Sequence, residues 1–415
     1  MIKKDDKHYS YSLSALAWQR FKKDKLAMFG LIVISLFMIV AILGYAITPD
    51  FTPDANDQLL ELSKKPPGFK IQTLQIRKNE ESHHVNIFYK MMFGQVSDYR
   101  SVPFTSYRFE GNDIIVKEYS GDNRAGMELK FNVADVVYAT NFNSPIENNV
   151  ANGNVEFYEF GNNQKTKKTV QELRSEIEKK NIVTKKFLWG TDPAGRDLLS
   201  RLIIGTRVSF SVGFVAVFIS LVIGVLMGSL AGYYRGRVDD IIIWFINVVW
   251  SVPTLLLVIA ITLALGKGFW QVFIAVGLTM WVEVARVIRG QIMSLREKEF
   301  IEAGRALGFT HFRIIMRHIL PNVMGSVIVI SASNFAAAIL IEAGLSFLGI
   351  GAQPPMASWG AMINAHRGYI IGDAPYLALL PGFAIMLIVL AFVLLGNGLR
   401  DSLDTKVMDE ERLVY

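Results

Sequence analysis

The sequence predicts an all-α membrane protein of about six transmembrane helices, with an α+β domain inserted between the first helix and the second. Three observations lead there. Apolar residues make up 51% of the 415-residue chain, and they fall in near-continuous runs of roughly twenty, the length a helix needs to cross the hydrocarbon core. A large soluble core would instead space them at every second, third or fourth position. Basic residues cluster beside these runs, and one long polar stretch separates the first run from the rest.

The candidate spans are 26–48, 206–232, 241–265, 270–290, 323–350 and 375–398. The first follows Lys22, Lys23 and Lys25 and so begins like a signal sequence. It is too long for a signal core and lacks a small-x-small cleavage site, which predicts a retained helix. The N-terminal arm carries Lys3, Lys4, Lys7, Arg20, Lys22, Lys23 and Lys25, and the loop after the fourth span carries Arg289, Arg296, Lys298, Arg305, Arg313 and Arg317. The opposite short loops offer Lys267 and Arg367. A positive-inside bias then puts both termini in the cytoplasm of a multi-pass protein of the cell (inner) membrane. This placement beside apolar runs also accounts for the net charge of +6, pointing to membrane lipid as a partner and away from nucleic acid.

Four regions follow: the arm and first helix at 1–48, an extracytoplasmic insert at 49–186, a helical core at 187–400 and a cytoplasmic tail at 401–415. Within the insert, Asp113–Tyr119 and Met127–Tyr138 alternate or carry β-branched residues between Gly and Asn breaks, as strands do, whereas Gln171–Lys180 reads as a short charged helix. His83 and His84 are either metal ligands or surface residues; neighbours on a strand point to opposite faces, against a shared ion. With no cysteine, disulfides, thiolate metal sites and cysteine nucleophiles are excluded. Gly266-Lys267-Gly268 lacks the flanking residues of a phosphate loop and sits between two spans, so the chain is not expected to bind ATP by it; no cofactor or metal is expected.

The loop at 290–322 holds the most informative segment, Glu299–Asn322, reading EFIEAGRALGFTHFRIIMRHILPN. Phe300–Leu307 forms an amphipathic helix with Ile301, Ala303 and Leu307 as apolar knobs; Gly308 breaks it, and a second helix runs from Thr310 to Ile319 before Pro321 opens the next span. Such an elbow either transmits motion to a partner or merely covers helix ends. The segment resembles the "EAA" loop of ABC importer permeases in Glu302-Ala303-Gly304, Gly308 and Leu320-Pro321, with Gly304 where a second alanine is usual and His318 where isoleucine is commoner. Trp189–Ser209 (WGTDPAGRDLLSRLIIGTRVS), Leu345–Gly360 (LSFLGIGAQPPMASWG) and Trp18–Gly30 (WQRFKKDKLAMFG) are similar to segments of the C-type permease subunits of oligopeptide, dipeptide and nickel importers.

The resemblance implies a fold of the ABC importer permease type and no enzymatic activity of the chain's own. It implies a second homologous permease, two ABC ATPase subunits or domains that hydrolyse ATP, and an extracytoplasmic substrate-binding protein. The cargo would be peptides or a related solute such as nickel. Glu302, Ala303, Gly304, Leu307, Gly308 and Pro321 would form the ATPase-coupling site, with Arg305 and Arg313 reaching acidic groups on the ATPase. In the third span Trp244 and Asn247 stand where relatives often carry Arg and Asp.

The candidate pathway residues are Glu342, Asn247, Pro253 and Asn334. Pro253 removes a helical hydrogen bond and is expected to kink the third span. Glu342, a charge inside a span, either lines the pathway or secures the outer loop. Glu283 and Arg286 are expected to pair. Asp192, Gly195, Arg196 and Asp197 read either as a turn that caps the second span or as a contact for substrate or binding protein. The rival classes are a secondary carrier, which would need inverted repeats, and a membrane-anchored enzyme, which would need a catalytic set in the insert; neither is visible.

Overall fold

The computed structural model describes residues 13–82, 85–121, 126–141, 146–149, 153–161, 165–266 and 268–403. His83, His84, Lys267, the first lysines of the arm and most of the tail lie outside them. Helix α1 (Leu13–Lys23) carries the basic arm and ends at Asp24, whose carboxylate accepts the Leu26 and Ala27 N–H groups at 2.9 and 3.1 Å to cap α2 (Lys25–Leu43). Residues 44–68 then run in tight turns along the helix ends.

The sheet domain follows: β1 (Phe69–Arg77), α3 (Ile87–Phe93), β2 (Tyr99–Glu110), β3 (Asp113–Glu118), β4 (Glu128–Asn132), α4 (Val133–Val137), β5 (Glu147–Asn149), β6 (Asn154–Tyr158), β7 (Lys165–Thr169), α5 (Val170–Glu176) and β8 (Ile182–Phe187). A five-stranded antiparallel sheet in the order β4-β3-β2-β1-β8 is joined by a three-stranded one, β5-β6-β7. Alternation builds its core: Val155 and Phe157 point inward from β6, meeting Leu74, Phe104, Val116 and Leu173. The strand expected at 113–119 and the charged helix are there, α5 starting at a reciprocal cap between Thr169 and Glu172, but Met127–Tyr138 is strand only as far as Asn132, whose side chain accepts the Ala134 N–H and starts α4.

The bundle comprises α6 (Leu198–Tyr234), α7 (Gly236–Trp250), α8 (Thr254–Leu265), α9 (Phe269–Leu295), α10 (Glu299–Ala306), α11 (His311–Arg313), α12 (Leu320–Phe347), α13 (Trp359–His366) and α14 (Tyr376–Leu403). Among the described residues, five stretches are each long and apolar enough to cross a membrane: the α2 stretch, α6, α9, α14, and α12 with the turns leading into it from His311. The sixth expected span, at 241–265, is a broken one: α7 and α8 together are long and apolar enough to cross, but they meet at 90° instead of forming a single kinked helix. Pro253 lacks an N–H and holds ψ at 126°, so it ends one helix and its carbonyl starts the next, accepting the Leu257 N–H at 3.1 Å.

Close packing in the bundle rests on small residues. Gly224, Gly228 and Gly232 recur on one face of α6, where a methyl group at Gly228 would sit 2.6 Å from the Ala285 carbonyl of α9. Gly30 brings α2 equally close to Ala391 of α14. Stacked Phe335 and Phe392, with Phe210 against both, fill the space between α6, α12 and α14.

Candidate functional site

The elbow lies at the end of the bundle away from the sheet domain. Helix α9 ends there, and Lys298 N–H bonds back to the Leu295 carbonyl before α10 begins. At the far end of α10, Gly308 takes φ +76°. Its N–H donates to the Arg305 carbonyl at 2.9 Å, and the Phe309 N–H reaches back to the Gly304 carbonyl at 3.1 Å. This paired closure, with glycine in the left-handed position, stops a helix and reverses the chain. Thr310 caps the next helix, its hydroxyl accepting the Arg313 N–H at 3.4 Å, and Pro321 sits in the first turn of α12 where its missing N–H is harmless.

The faces of α10 differ from the sequence expectation at two residues, Ile301 and Gly304. Ile301 is not an outward knob: it is buried with Ile288, Ile292, Ile314 and Ile319, fastening α10 to the ends of α9 and α12. Gly304 also faces inward, toward the Phe309 ring. Glu302, Ala303, Arg305 and Leu307 face out, and Phe300 and Phe312 join Leu307 as exposed apolar side chains. Sequence reasoning missed both phenylalanines, although each flanks the charged residues at helical spacing. Tyr233 at the end of α6 bonds His311 Nδ1 at 2.9 Å, and Arg296 and Arg305 lie over its ring. Arg289 grips Asp239 of α7 with two bonds of 2.5 and 2.6 Å. The elbow is thus packed directly against the ends of α6, α9 and α12.

The four candidate pathway residues are not brought together. Asn247 and Pro253 are exposed on α7 and at the α7–α8 break, whereas Asn334 and Glu342 are buried on α12. Glu342 accepts a hydrogen bond from Ser346 at 2.6 Å, and the Ser346 oxygen accepts the Ala352 N–H at 3.1 Å. Those contacts tie it to the loop after α12. Glu283 and Arg286 do not pair; Arg286 instead lies 3.5 Å from the Trp250 ring centroid, a favourable cation–π placement. A groove of about 490 Å³ opens between α9, α12 and α14 and is lined by Gln291, Asn322, Ser326, Ser333, Asn397 and Arg400. These polar side chains were also missed, though Asn322, Ser326 and Ser333 share one face of α12.

At the sheet-domain end, the Asp192–Asp197 segment forms the expected turn. Asp192 accepts the Ala194 and Arg196 N–H groups and the Arg196 guanidinium at 2.7 Å. Gly195 holds φ +74° with no room for a side chain beside Leu59. Asp197 caps α6 through the Ser200 N–H at 2.8 Å. Burial pushes the Asp197 carboxyl above the usual range, opposed by the Ser200 hydrogen bonds, and burial likewise raises Asp50. Both line a cavity of about 330 Å³ beneath β8. Trp359 donates to the Leu202 carbonyl at 3.0 Å and packs on Gly205, so two of the recognised sequence segments form a single latch.

Two family models match the chain. Residues 224–409 match the binding-protein-dependent transport system inner membrane component, and residues 12–67 match the N-terminal transmembrane domain of oligopeptide transport permease C. The glutathione transport system permease protein GsiD of Pectobacterium atrosepticum is 43% identical over 52% of this chain and 72% of its own length. The dipeptide transport system permease protein DppC of Alkalihalophilus pseudofirmus is 43% identical over 53% of this chain and 72% of its own. Among solved structures, a chain of the inward-facing methionine ABC transporter MetNI superposes with a TM-score of 0.43 at 16% identity, covering 50% of this chain and 98% of that one.

Proposed function

The chain belongs to the binding-protein-dependent transport system inner membrane components, in the oligopeptide transport permease C branch, and on that premise we propose that it is one of two permease subunits of an ATP-driven importer of short peptides. It is a multi-pass protein of the inner membrane. Its arm, elbow and tail face the cytoplasm, where the basic residues of the short loops collect. ATP is bound and hydrolysed on separate chains, which dock on the elbow. A binding protein delivers the peptide to the opposite face, and a homologous permease completes the pathway.

One observation carries this reading. The elbow is rigidly joined to α6, α9 and α12, yet it turns Phe300, Ala303, Leu307 and Phe312 outward with Glu302 and Arg305 between them. An apolar patch rimmed by charge is the anatomy of a docking surface. Glu342 belongs to the outer latch, and the polar groove between α9, α12 and α14 is the better candidate for this chain's share of the pathway.

The test is gentle purification of the tagged chain with identification of its partners by mass spectrometry. An ATPase and a second permease should accompany the wild type and be lost from the Leu307→Asp variant. A chain that purifies alone and transports in vesicles without ATP would overturn the proposal in favour of a secondary carrier.

A further inference from the structure

Helix α3 reads Ile-Phe-Tyr-Lys-Met-Met-Phe, and none of its seven residues is buried. Ile87, Phe88 and Phe93 are 75, 70 and 60% exposed, with Tyr89 and Met92 also open. A water-facing helix of this kind would carry polar residues on one side. This one has a single charge, Lys90, and its ammonium lies 4.1 Å from the Phe51 ring centroid rather than free in solvent.

What covers it follows from where it is held. Arg207 of α6 donates to four carbonyls at once: Ala41 and Ile42 at the end of α2, at 2.6 and 3.0 Å, and Met92 and Met91 at the end of α3, at 2.5 and 2.6 Å. One guanidinium therefore fixes the ends of both helices at the same level. Helix α2 has 19 residues, about 28 Å of rise, which matches the thickness of the hydrocarbon core. Its last carbonyls accordingly mark the edge of that core. Near that edge α2 exposes Ile39, Ile42 and Leu43, and it is the least enclosed of the spans. The apolar surface of α3 continues that lipid-facing surface.

We propose that α3 is an interfacial helix, seated in the bilayer on the sheet-domain side, with Ile87, Phe88, Met92 and Phe93 among the lipid tails. Tyr89, 5.0 Å from Phe93 between ring centroids, belongs to the aromatic zone at the headgroups. The helix moors the sheet domain to the membrane independently of its two covalent links to the bundle. The inference needs only that the chain spans a membrane, so it can fail while the importer reading stands.

The chain has no cysteine, so single-cysteine variants report unambiguously. Phe88→Cys and Phe93→Cys would each carry a nitroxide label in the assembled transporter, in nanodiscs of phosphatidylethanolamine and phosphatidylglycerol. Gln171→Cys, on the exposed side of charged helix α5, supplies the water reference. Collisions with oxygen should exceed those with a nickel chelate several-fold more at 88 and 93 than at 171. A ratio equal to the reference would put α3 in water and overturn the proposal. Shielding from both reagents would overturn it too, showing that a protein partner covers the helix.

Discussion

At Gly308 the backbone occupies the left-handed region, at φ +76°, whereas Gly304 is an ordinary residue of α10, and a methyl added there would meet nothing nearer than Phe309 Cδ2 at 3.4 Å. The two glycines of the elbow therefore respond oppositely to substitution. Gly304→Ala adds the methyl that the family pattern usually has and favours α10 by up to about 1 kcal/mol; uptake should match the wild type. Gly308→Val forces a β-branched residue into the left-handed region at about 1–3 kcal/mol, within reach of a local unwinding that leaves the spans inserted. A transporter assembled with this variant should, in vesicles, hydrolyse ATP without accumulating peptide, and normal uptake would remove the elbow from coupling. Asp197 makes a separate prediction at this scale. Its buried carboxyl has a raised pKa, so its contribution to stability is full below the ordinary carboxylate range and is lost as pH rises through the raised value. An asparagine at this position would keep the acceptor for the Ser200 N–H and cap α6 equally well. The melting temperature of Asp197→Asn should therefore be higher at pH 7 and flatter from about pH 4 upward; an unchanged profile would show that the charge is compensated. Some residue roles were legible beforehand: Asp197 and Gly308 announce themselves by type and position. Ile301 did not, because a short amphipathic helix shows its apolar side without saying whether a partner or the chain's own bundle covers it.

At the scale of elements, the runs of apolar residues located every span but could not show the break in one of them. The sequence from Ile241 to Leu265 stays apolar on both sides of Pro253, and a proline within such a run is compatible with a kink or with two separate helices. Here Ser251 makes the last helical bond of α7, to the Asn247 carbonyl at 2.9 Å, and beyond Pro253 α8 turns by 90°, which hydropathy does not register. The pairing of α6 with α9 was also hidden, because glycines among apolar residues do not name their neighbour. Once the partner is known, their effect is quantifiable. At Gly228 a Cβ would lie 2.6 Å from Ala285 O and 2.9 Å from Ile288 Cβ, one atom being backbone and the other the branch point of a β-branched chain, so neither can step aside. Gly228→Leu should therefore separate α6 from α9 and cost at least the 1–3 kcal/mol typical of overpacking. Gly290→Ala, on α9 with nothing within 4 Å of the added methyl, is the control and should be neutral or stabilising. Thermal unfolding in detergent, followed by size exclusion, checks both. Equal behaviour of the two variants would mean that the stripe does not set the packing of this pair.

At the scale of the molecule, two cores are stacked rather than merged. The sheet domain closes its own interior around Phe104, Phe157 and Leu173, separate from the clusters between the spans. The chain enters and leaves it at one point, where the Gly68 N–H donates to the Phe187 carbonyl at 2.9 Å. Residues 49–67 lie between the two cores: Leu59 and Leu62 pack with Ile71, Tyr119 and Phe187 of the sheet domain, whereas Lys65 N–H bonds Thr191 Oγ1 at 2.8 Å and Tyr376 donates to the Lys65 carbonyl at 2.9 Å. The match to the N-terminal transmembrane domain likewise ends at residue 67. Composition alone had marked a polar block from Pro49, because turns packed along helix ends are as polar as a separate domain. Excision of 69–186, with a few glycines to bridge neighbouring ends, should therefore leave the bundle able to insert. It removes the bonds from Arg207 to α3, the Lys185–Asp57 pair, the Gln95–Phe51 backbone bond and the packing of Ile71 and Tyr119 on Leu59 and Leu62, but none of the contacts that hold α6, α9, α12 and α14 together. The excised chain should still purify with its ATPase and second permease and keep basal ATP hydrolysis. If the sheet domain is where the binding protein docks, stimulation of hydrolysis by loaded binding protein should disappear with it. Stimulation that survives would assign docking to the bundle's own outer loops and leave the domain its mooring role at the membrane. Failure to insert would show that the two cores fold as one.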